Sequence, residues 1–363
     1  MKRTLINIAI LSTILGTGMA QAGGWDRSGQ DTSIILKEGS LLEVSAVSVA
    51  PKVTGAYVGS LAATGDVTPD YSFTNMAFRT EINDNFSVAV IQDEPFGASV
   101  DWSVTSGNAY SSVEASIKTN ATTFLLGYDI DNITVYGGLK NQSFGASADV
   151  PIGSPHPSPG MYKIRSTDDQ SIGYVLGAAV ERPEIALRVA LTYQSKVSHQ
   201  VAVVETFGGA STSSVLKADT PSSFNLNFQT GIAANTLLFG SVRSVQWTQT
   251  DVKPNVFATN AQRSLKKFTS DVVTYNLGVA RKVTDQWLGF VTYGTEASEG
   301  GTAGPLGPTD GFSKMGLGVT YSGEQADITV AMQKVNNGDT SMDGATMSGN
   351  TTLVTAVKVA YKF

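Results

Sequence analysis

The connections in this chain alternate in length. Amphipathic β segments are joined in turn by tight joints and by long polar stretches. The tight joints are Asn83-Asp84-Asn85, Asp129-Ile130-Asp131-Asn132, Arg182-Pro183-Glu184, Ala234-Asn235-Thr236, Thr284-Asp285 and Ser322-Gly323-Glu324. The long stretches, rich in Gly, Ser, Thr, Pro and Asp, lie near 59–74, 94–112, 147–169, 197–221, 251–270, 297–311 and 336–351. A soluble β-sandwich has no reason to alternate its connections this way. A transmembrane barrel does, because turns are short on one side of the membrane and loops long on the other. Six tight joints and seven long ones require fourteen strands. An even count places both chain ends on one side of the membrane.

In such a barrel, successive residues point alternately to lipid and to the lumen. Three segments show this cleanly. Over 185–194, Ile185, Leu187, Val189, Leu191 and Tyr193 share one face, with Ala186, Arg188, Ala190, Thr192 and Gln194 on the other. Over 223–232, Phe224, Leu226, Phe228 and Ile232 oppose Ser223, Asn225, Asn227 and Gln229. Over 353–363, Leu353, Val357, Val359, Tyr361 and Phe363 oppose Lys358 and Lys362. The remaining strands are expected near 42–58, 75–82, 85–93, 113–128, 132–146, 170–181, 237–250, 271–282, 286–296, 312–321 and 325–335. Girdle aromatics are expected at Tyr128, Trp287, Tyr321 and Tyr361 on the periplasmic side, and at Tyr57, Tyr193, Trp247 and Tyr293 on the outer side.

The ends of the chain agree. Lys2 and Arg3, an apolar run from Leu5 to Leu15 and Ala20-Gln21-Ala22 give residues 1–22 the layout of a cleaved secretory signal peptide. Past residue 22 no apolar run is long enough for a membrane helix. The chain closes on Tyr361-Lys362-Phe363, an alternating strand with a terminal aromatic. This resembles the C-terminal signature of bacterial outer-membrane proteins that the barrel-assembly machinery recognises, so Phe363 is the expected contact with it. Cysteine is absent, which excludes disulfides and thiolate chemistry. An excess of acidic over basic residues, 31 against 25, argues against nucleic acid. The two histidines, His156 and His199, sit in no catalytic or metal-binding motif, and no phosphate or dinucleotide fingerprint appears. An enzyme, a metal and a cofactor are therefore not expected.

Residues 23–41 fall outside the rhythm. They begin Gly23-Gly24-Trp25-Asp26-Arg27-Ser28-Gly29 and carry Ile34, Ile35 and Leu36 between Asp31 and Lys37-Glu38. A free tail would rarely be this hydrophobic, and a fourteen-stranded barrel leaks unless something fills it. The expected organisation is a signal peptide (1–22), a lumenal plug (23–41) and the barrel (42–363). In fold class the chain reads as all-β, a 14-stranded antiparallel transmembrane β-barrel with an N-terminal plug.

A short segment ahead of fourteen strands resembles the FadL family, outer-membrane transporters of long-chain fatty acids and other hydrophobic compounds. Ser45-Ala46-Val47-Ser48-Val49-Ala50-Pro51-Lys52-Val53 is similar to the family's first strand. Glu94-Pro95-Phe96-Gly97-Ala98-Ser99-Val100-Asp101-Trp102 is similar to its Pro-Phe-Gly segment after the third strand. Pro221-Ser222-Ser223-Phe224 and the run from Arg243 to Trp247 resemble its central hairpin. The Asn-Pro-Ala usual in the plug is missing, and Ile35-Leu36-Lys37-Glu38-Gly39 stands near its place. The resemblance implies passive transport across the outer membrane of a Gram-negative bacterium. A fatty acid or aromatic compound would be caught by extracellular loops, bound in the barrel, and released sideways into outer-membrane lipid by plug movement and a kink in strand three. Gln92-Asp93-Glu94-Pro95 suits such a kink, since proline cannot donate to a ladder, or simply ends the strand.

Candidate ligand-binding residues are Trp25 in the plug and Arg79, Tyr136, Lys140, Phe144, Arg188 and Arg243 on the lumen side. The cations would suit a ligand carboxylate, or would pair with Glu81, Asp327, Asp26 and Asp31 and hold plug to wall. Loop 147–169 is unusually apolar and stiff, with Pro155, Pro157 and Pro159 beside Ile152, Met161 and Tyr162 as candidate capture residues, or forms a lid without a ligand role. The competing reading is a general diffusion porin, which would have a charged constriction and no plug.

Overall fold

The computed structural model describes residues 25–59, 62–103, 110–153, 157–300, 304–342 and 344–363. The expected signal peptide lies outside the described residues. Eighteen strands form one continuous antiparallel sheet, and fourteen of them close into a barrel. In chain order these are β1 (Leu41–Lys52), β2 (Tyr71–Glu81), β3 (Phe86–Asp93), β4 (Glu114–Ile130), β5 (Ile133–Ile152), β6 (Asp169–Arg182) and β7 (Leu187–Gln194). They continue as β8 (Ser223–Ala233), β9 (Thr236–Val245), β10 (Val272–Lys282), β11 (Trp287–Glu296), β12 (Phe312–Ser322), β13 (Ala326–Asn337) and β14 (Thr351–Lys362). Each pairs with the next, and β1 pairs with β14 from Leu41↔Lys362 to Lys52↔Thr351, which closes the wall. All fourteen expected segments are strands.

Two of them end earlier than their alternation suggested. β1 stops at Lys52, and Gly55–Tyr57 turns away to pair with Ala345–Met347. β9 stops at Val245 and gives way to a 3-10 turn at Trp247–Gln249. Two of the long connections are themselves sheet. Val197–Phe207 and Ala210–Thr220 form a hairpin. Gly160–Ser166 pairs with the outer end of β5 on one side and with 203–206 on the other. Their Ser, Thr and Ala content suggested loops, but Val201, Val203 and Leu216 point inward and are buried. A short helix, Asn255–Ala261, lies against this hairpin.

Alternation sorts the wall into two faces. On β4, Phe124, Leu126 and Tyr128 are exposed, while Thr123 and Leu125 are buried. Leu139, Tyr174, Leu176, Leu191, Val291 and Leu317 continue the outward apolar face, the chemistry of a wall that meets hydrocarbon. Aromatic pairs stud it near the tight turns, Phe86–Tyr128 at 4.7 Å and Trp287–Tyr321 at 5.1 Å between ring centroids. At the other end Tyr193 lies between Tyr174 and Phe224. Tyr57 and Trp247, expected among the outer aromatics, are buried instead. Both lie past the end of a strand, where the chain has turned and the period-2 rule no longer applies.

Inside, large rings face glycines. A Cβ at Gly177 would stand 2.2 Å from the ring of Tyr136, so only glycine lets that ring lie flat on β6. Behind these rings the inward residues form separate layers, and the segment before β1 packs against two of them.

Candidate functional site

Residues 25–40 are tied to the wall on several sides. Trp25–Ser28 run antiparallel to 94–97. The amide of Gly97 donates to the Trp25 carbonyl at 2.7 Å, the Arg27 amide to Pro95 at 3.0 Å and the Ser28 amide to Glu94 at 3.1 Å. Gly29 and Gln30 both take positive φ, at 69° and 54°, and reverse the chain. Asp31 then accepts from the Ser33 amide at 2.9 Å and starts a 3-10 turn, Ser33–Leu36. Ile34, Ile35 and Leu36 are buried among Leu125, Tyr136 and Ala190 of the wall.

Opposite, β7, β8 and β9 reach the same segment. Gln194 donates to the Gln30 carbonyl at 2.8 Å, and Asn225 to the Gly29 carbonyl at 3.1 Å. Arg243 binds both carboxylate oxygens of Asp26 and also reaches Gln30 at 3.0 Å. Further down, Lys37 pairs with Glu43 of β1, whose other oxygen lies 3.7 Å from Lys358 of β14.

Beside the segment lies a small apolar cavity of about 40 Å³. Trp25 lines it. Its ring meets Phe268 edge-on at 5.0 Å and Trp247 at 6.0 Å. Ala98, Val100, Ala115, Ile117 and Ala148 line the wall side, and Leu216, Val252, Leu265 and Leu306 the side formed by the long connections. Lys266 is the single charged side chain among the lining residues.

The residues singled out from sequence fall into distinct places. Trp25 borders this cavity, and Phe144 is buried in the same apolar cluster. The Tyr136 hydroxyl lies 2.6 Å from that of Thr192, beneath the segment rather than at the cavity. Lys140 is buried and donates to Gln194 at 3.2 Å. Arg79 donates to the Gly39 carbonyl and to Glu81 at 2.7 Å. Arg188 pairs with Glu181 on the neighbouring strand. Arg79 and Arg243 thus meet acids named from sequence, Glu81 and Asp26, whereas Arg188 meets a different one and Lys140 an amide. Ile152 and Tyr162 are buried in the upward extension of the wall, and Met161, paired with Pro151, is half-buried. Tyr162 donates to Glu205 at 2.9 Å and packs edge-on against Phe257 at 5.0 Å. Pro155 and His156 lie outside the described residues. The cavity-lining alanines and leucines were missed, because a small or apolar residue in a loop or on a strand carries no signal of its own.

Neither a family model nor a curated relative matches the chain. Solved structures do. A Pseudomonas aeruginosa FadL homologue superposes with a TM-score of 0.76 at 16% identity, over 96% of this chain and 97% of that one. The chain has the FadL-type fold. The Pseudomonas putida toluene transporter TodX aligns over 99% of this chain and its own full length, with a TM-score of 0.67 and 10% identity. The Ralstonia pickettii toluene transporter TbuX aligns over 99% of both chains, with a TM-score of 0.63 and 13% identity. A FadL-type fold accounts for strand count, closure and the short segment ahead of β1. At these identities the side chains inside are this chain's own.

Proposed function

We propose that this chain is an outer-membrane transporter of hydrophobic small molecules, fatty acids or aromatic compounds, with residues 23–41 as the plug of its lumen. The observation that carries this reading is the position of Trp25. It stands on the segment ahead of β1 and forms part of an apolar cavity at the same time. A ligand there would keep its apolar surface from water, a gain of about 0.8 kcal/mol per CH₂. A diffusion porin has no use for such a cavity, nor for a segment held to the wall by a buried ion pair.

The wider reading follows the fold. Trp25 and Phe144 would serve the ligand, and the buried cations would hold plug and wall. The exposed apolar face of the barrel would sit in outer-membrane lipid, and the exposed Phe363 would be the handle for the barrel-assembly machinery. Non-enzymatic transport is supported by the kinds of protein that share the fold, a FadL homologue and toluene transporters.

The test is a paired measurement in reconstituted bilayers. A plugged transporter gives small ionic conductance together with saturable uptake of toluene or a labelled fatty acid. A large, steady ion current without saturable uptake would return the porin reading.

A further inference from the structure

The ladder between β2 and β3 is incomplete. The two strands pair from Glu81↔Ser87 to Met76↔Gln92. Beyond that point Tyr71–Asn75 pair with β1 on their other side. The chain that continues β3, Gly97–Asp101, pairs with Glu114–Lys118 of β4. Among the described residues no pairing joins 71–75 to 97–101. Glu94-Pro95-Phe96 make the break: the Glu94 and Pro95 carbonyls accept from the Ser28 and Arg27 amides, and the Phe96 backbone binds Thr119 of β4.

One side chain spans this opening. The guanidinium carbon of Arg27 lies 4.4 Å from the ring centroid of Tyr71, on the β2 side. Its Nη1 lies 3.0 Å from Glu94, on the β3 side. It also lies flat on Gly97, where a Cβ would stand 2.5 Å from Nε. Arg27 is 6% exposed, so the contacts are dry. Ser28, the next residue, lines a small polar cavity of about 50 Å³ with Glu43, Asn75, Asp93 and Lys358 among others. Arg27 therefore fills the gap in the ladder, next in the chain to a residue that borders this cavity.

We propose that Arg27 is a latch that holds this lateral opening shut. The inference rests on the transport reading and deepens it by naming a residue that controls release. Arginine suits the task because one planar group stacks on a ring and pairs with a carboxylate at once. Lysine can keep the charge pair but not the flat contact with both. Arg27 belongs to the N-terminal segment and moves with it, and the bond from its amide to Pro95 links that movement to the break in β3. Plug movement and opening of the wall thereby become one event.

The chain has no cysteine, so two introduced thiols can be bridged alone. Arg27→Cys with Tyr71→Cys, joined by a reducible bis-thiol reagent, is expected to lower uptake of labelled laurate by about tenfold or more, and reduction to restore it to the level of the unbridged variant. Arg27→Ala is expected to speed uptake and to raise hydrogen–deuterium exchange at 71–75, with Arg27→Lys between it and the wild type. Laurate affinity of the solubilised protein should stay unchanged, since Arg27 does not line the apolar cavity. Undiminished uptake in the bridged protein, or unaltered exchange at 71–75 in Arg27→Ala, would overturn the latch. Absence of uptake by the wild type would instead overturn the transport reading, and the exchange measurement would still decide on the latch.

Discussion

Arg243 grips Asp26 across most of the chain's length with two separate contacts, Nε to Oδ2 at 2.5 Å and Nη2 to Oδ1 at 3.0 Å. A two-pronged guanidinium–carboxylate pair fixes geometry as well as charge. Here it fixes the start of the N-terminal segment to β9. Removing one partner leaves the other charged and buried, which costs about 3–5 kcal/mol. Arg243→Met should therefore loosen residues 25–30, seen as faster proteolysis within the segment and a rise in ion conductance. Asp26→Asn combined with Arg243→Met should be milder than Arg243→Met alone. Equal conductance in wild type and Arg243→Met would refute the tether.

Trp25 offers the largest aromatic surface at the apolar cavity. Its truncation would remove the aromatic lining of the cavity and also the edge-on packing with Phe268 and Trp247. Trp25→Ala should weaken binding of a hydrophobic dye by roughly ten- to a hundredfold, from a loss of about 1–3 kcal/mol of apolar contact. Trp25→Phe should recover most of it. Fluorescence titration of the solubilised barrel checks both, and unchanged affinity in Trp25→Ala would remove Trp25 from the ligand site.

The barrel was legible because its constraints are periodic. Lipid on one face and lumen on the other force strict alternation on β7, β8 and β14, and the joints between hairpins carry their own turn residues. The reading failed where that constraint ends. Tyr57 and Trp247 lie beyond their strands and fold inward, and the hairpin at 197–220 looked like loop because small polar residues dominate its outward face. Arg243, Arg79 and Lys140 were found by face. Two of their partners, Asp26 and the Gly39 carbonyl, depend on how a non-periodic segment packs against the wall, and Gln194 on which strand faces Lys140. Arg27 drew no notice, since nothing local shows that a break in β3 waits for it.

Glu205 organises the outer end of the barrel. It is fully buried and accepts from the Tyr162 hydroxyl and from the Val256 and Phe257 amides on one oxygen, and from Ser214 on the other. The carboxylate thus caps the helix Asn255–Ala261 and clamps it to the hairpin beneath. Glu205→Leu would strand these donors, at about 1–3 kcal/mol for a buried group left unsatisfied. Amide exchange should rise across 255–261 and stay as it is in β1 and β14. Uniform exchange throughout the barrel would mean that Glu205 supports the whole fold rather than this cap.

Lys266 should give the apolar cavity a pH-dependent preference. Burial pushes its ammonium down to about 8, against a smaller upward pull from Asp310. Below that pH the side chain is charged and favours a carboxylate at the cavity. Above it the charge is lost, and so is the attraction. A bound carboxylate itself raises the lysine pKa, so the loss in the complex begins at somewhat higher pH than in the empty protein. Laurate affinity should therefore be level at pH 6 to 7, fall by up to about tenfold per unit between about pH 8 and the higher lysine pKa of the complex, and level off again above it. A neutral hydrocarbon such as toluene should bind independently of pH. Lys266→Met should flatten the laurate profile and leave toluene unchanged. Competition binding of the two ligands across this pH range provides the check: a flat laurate profile in the wild type would take Lys266 out of ligand recognition.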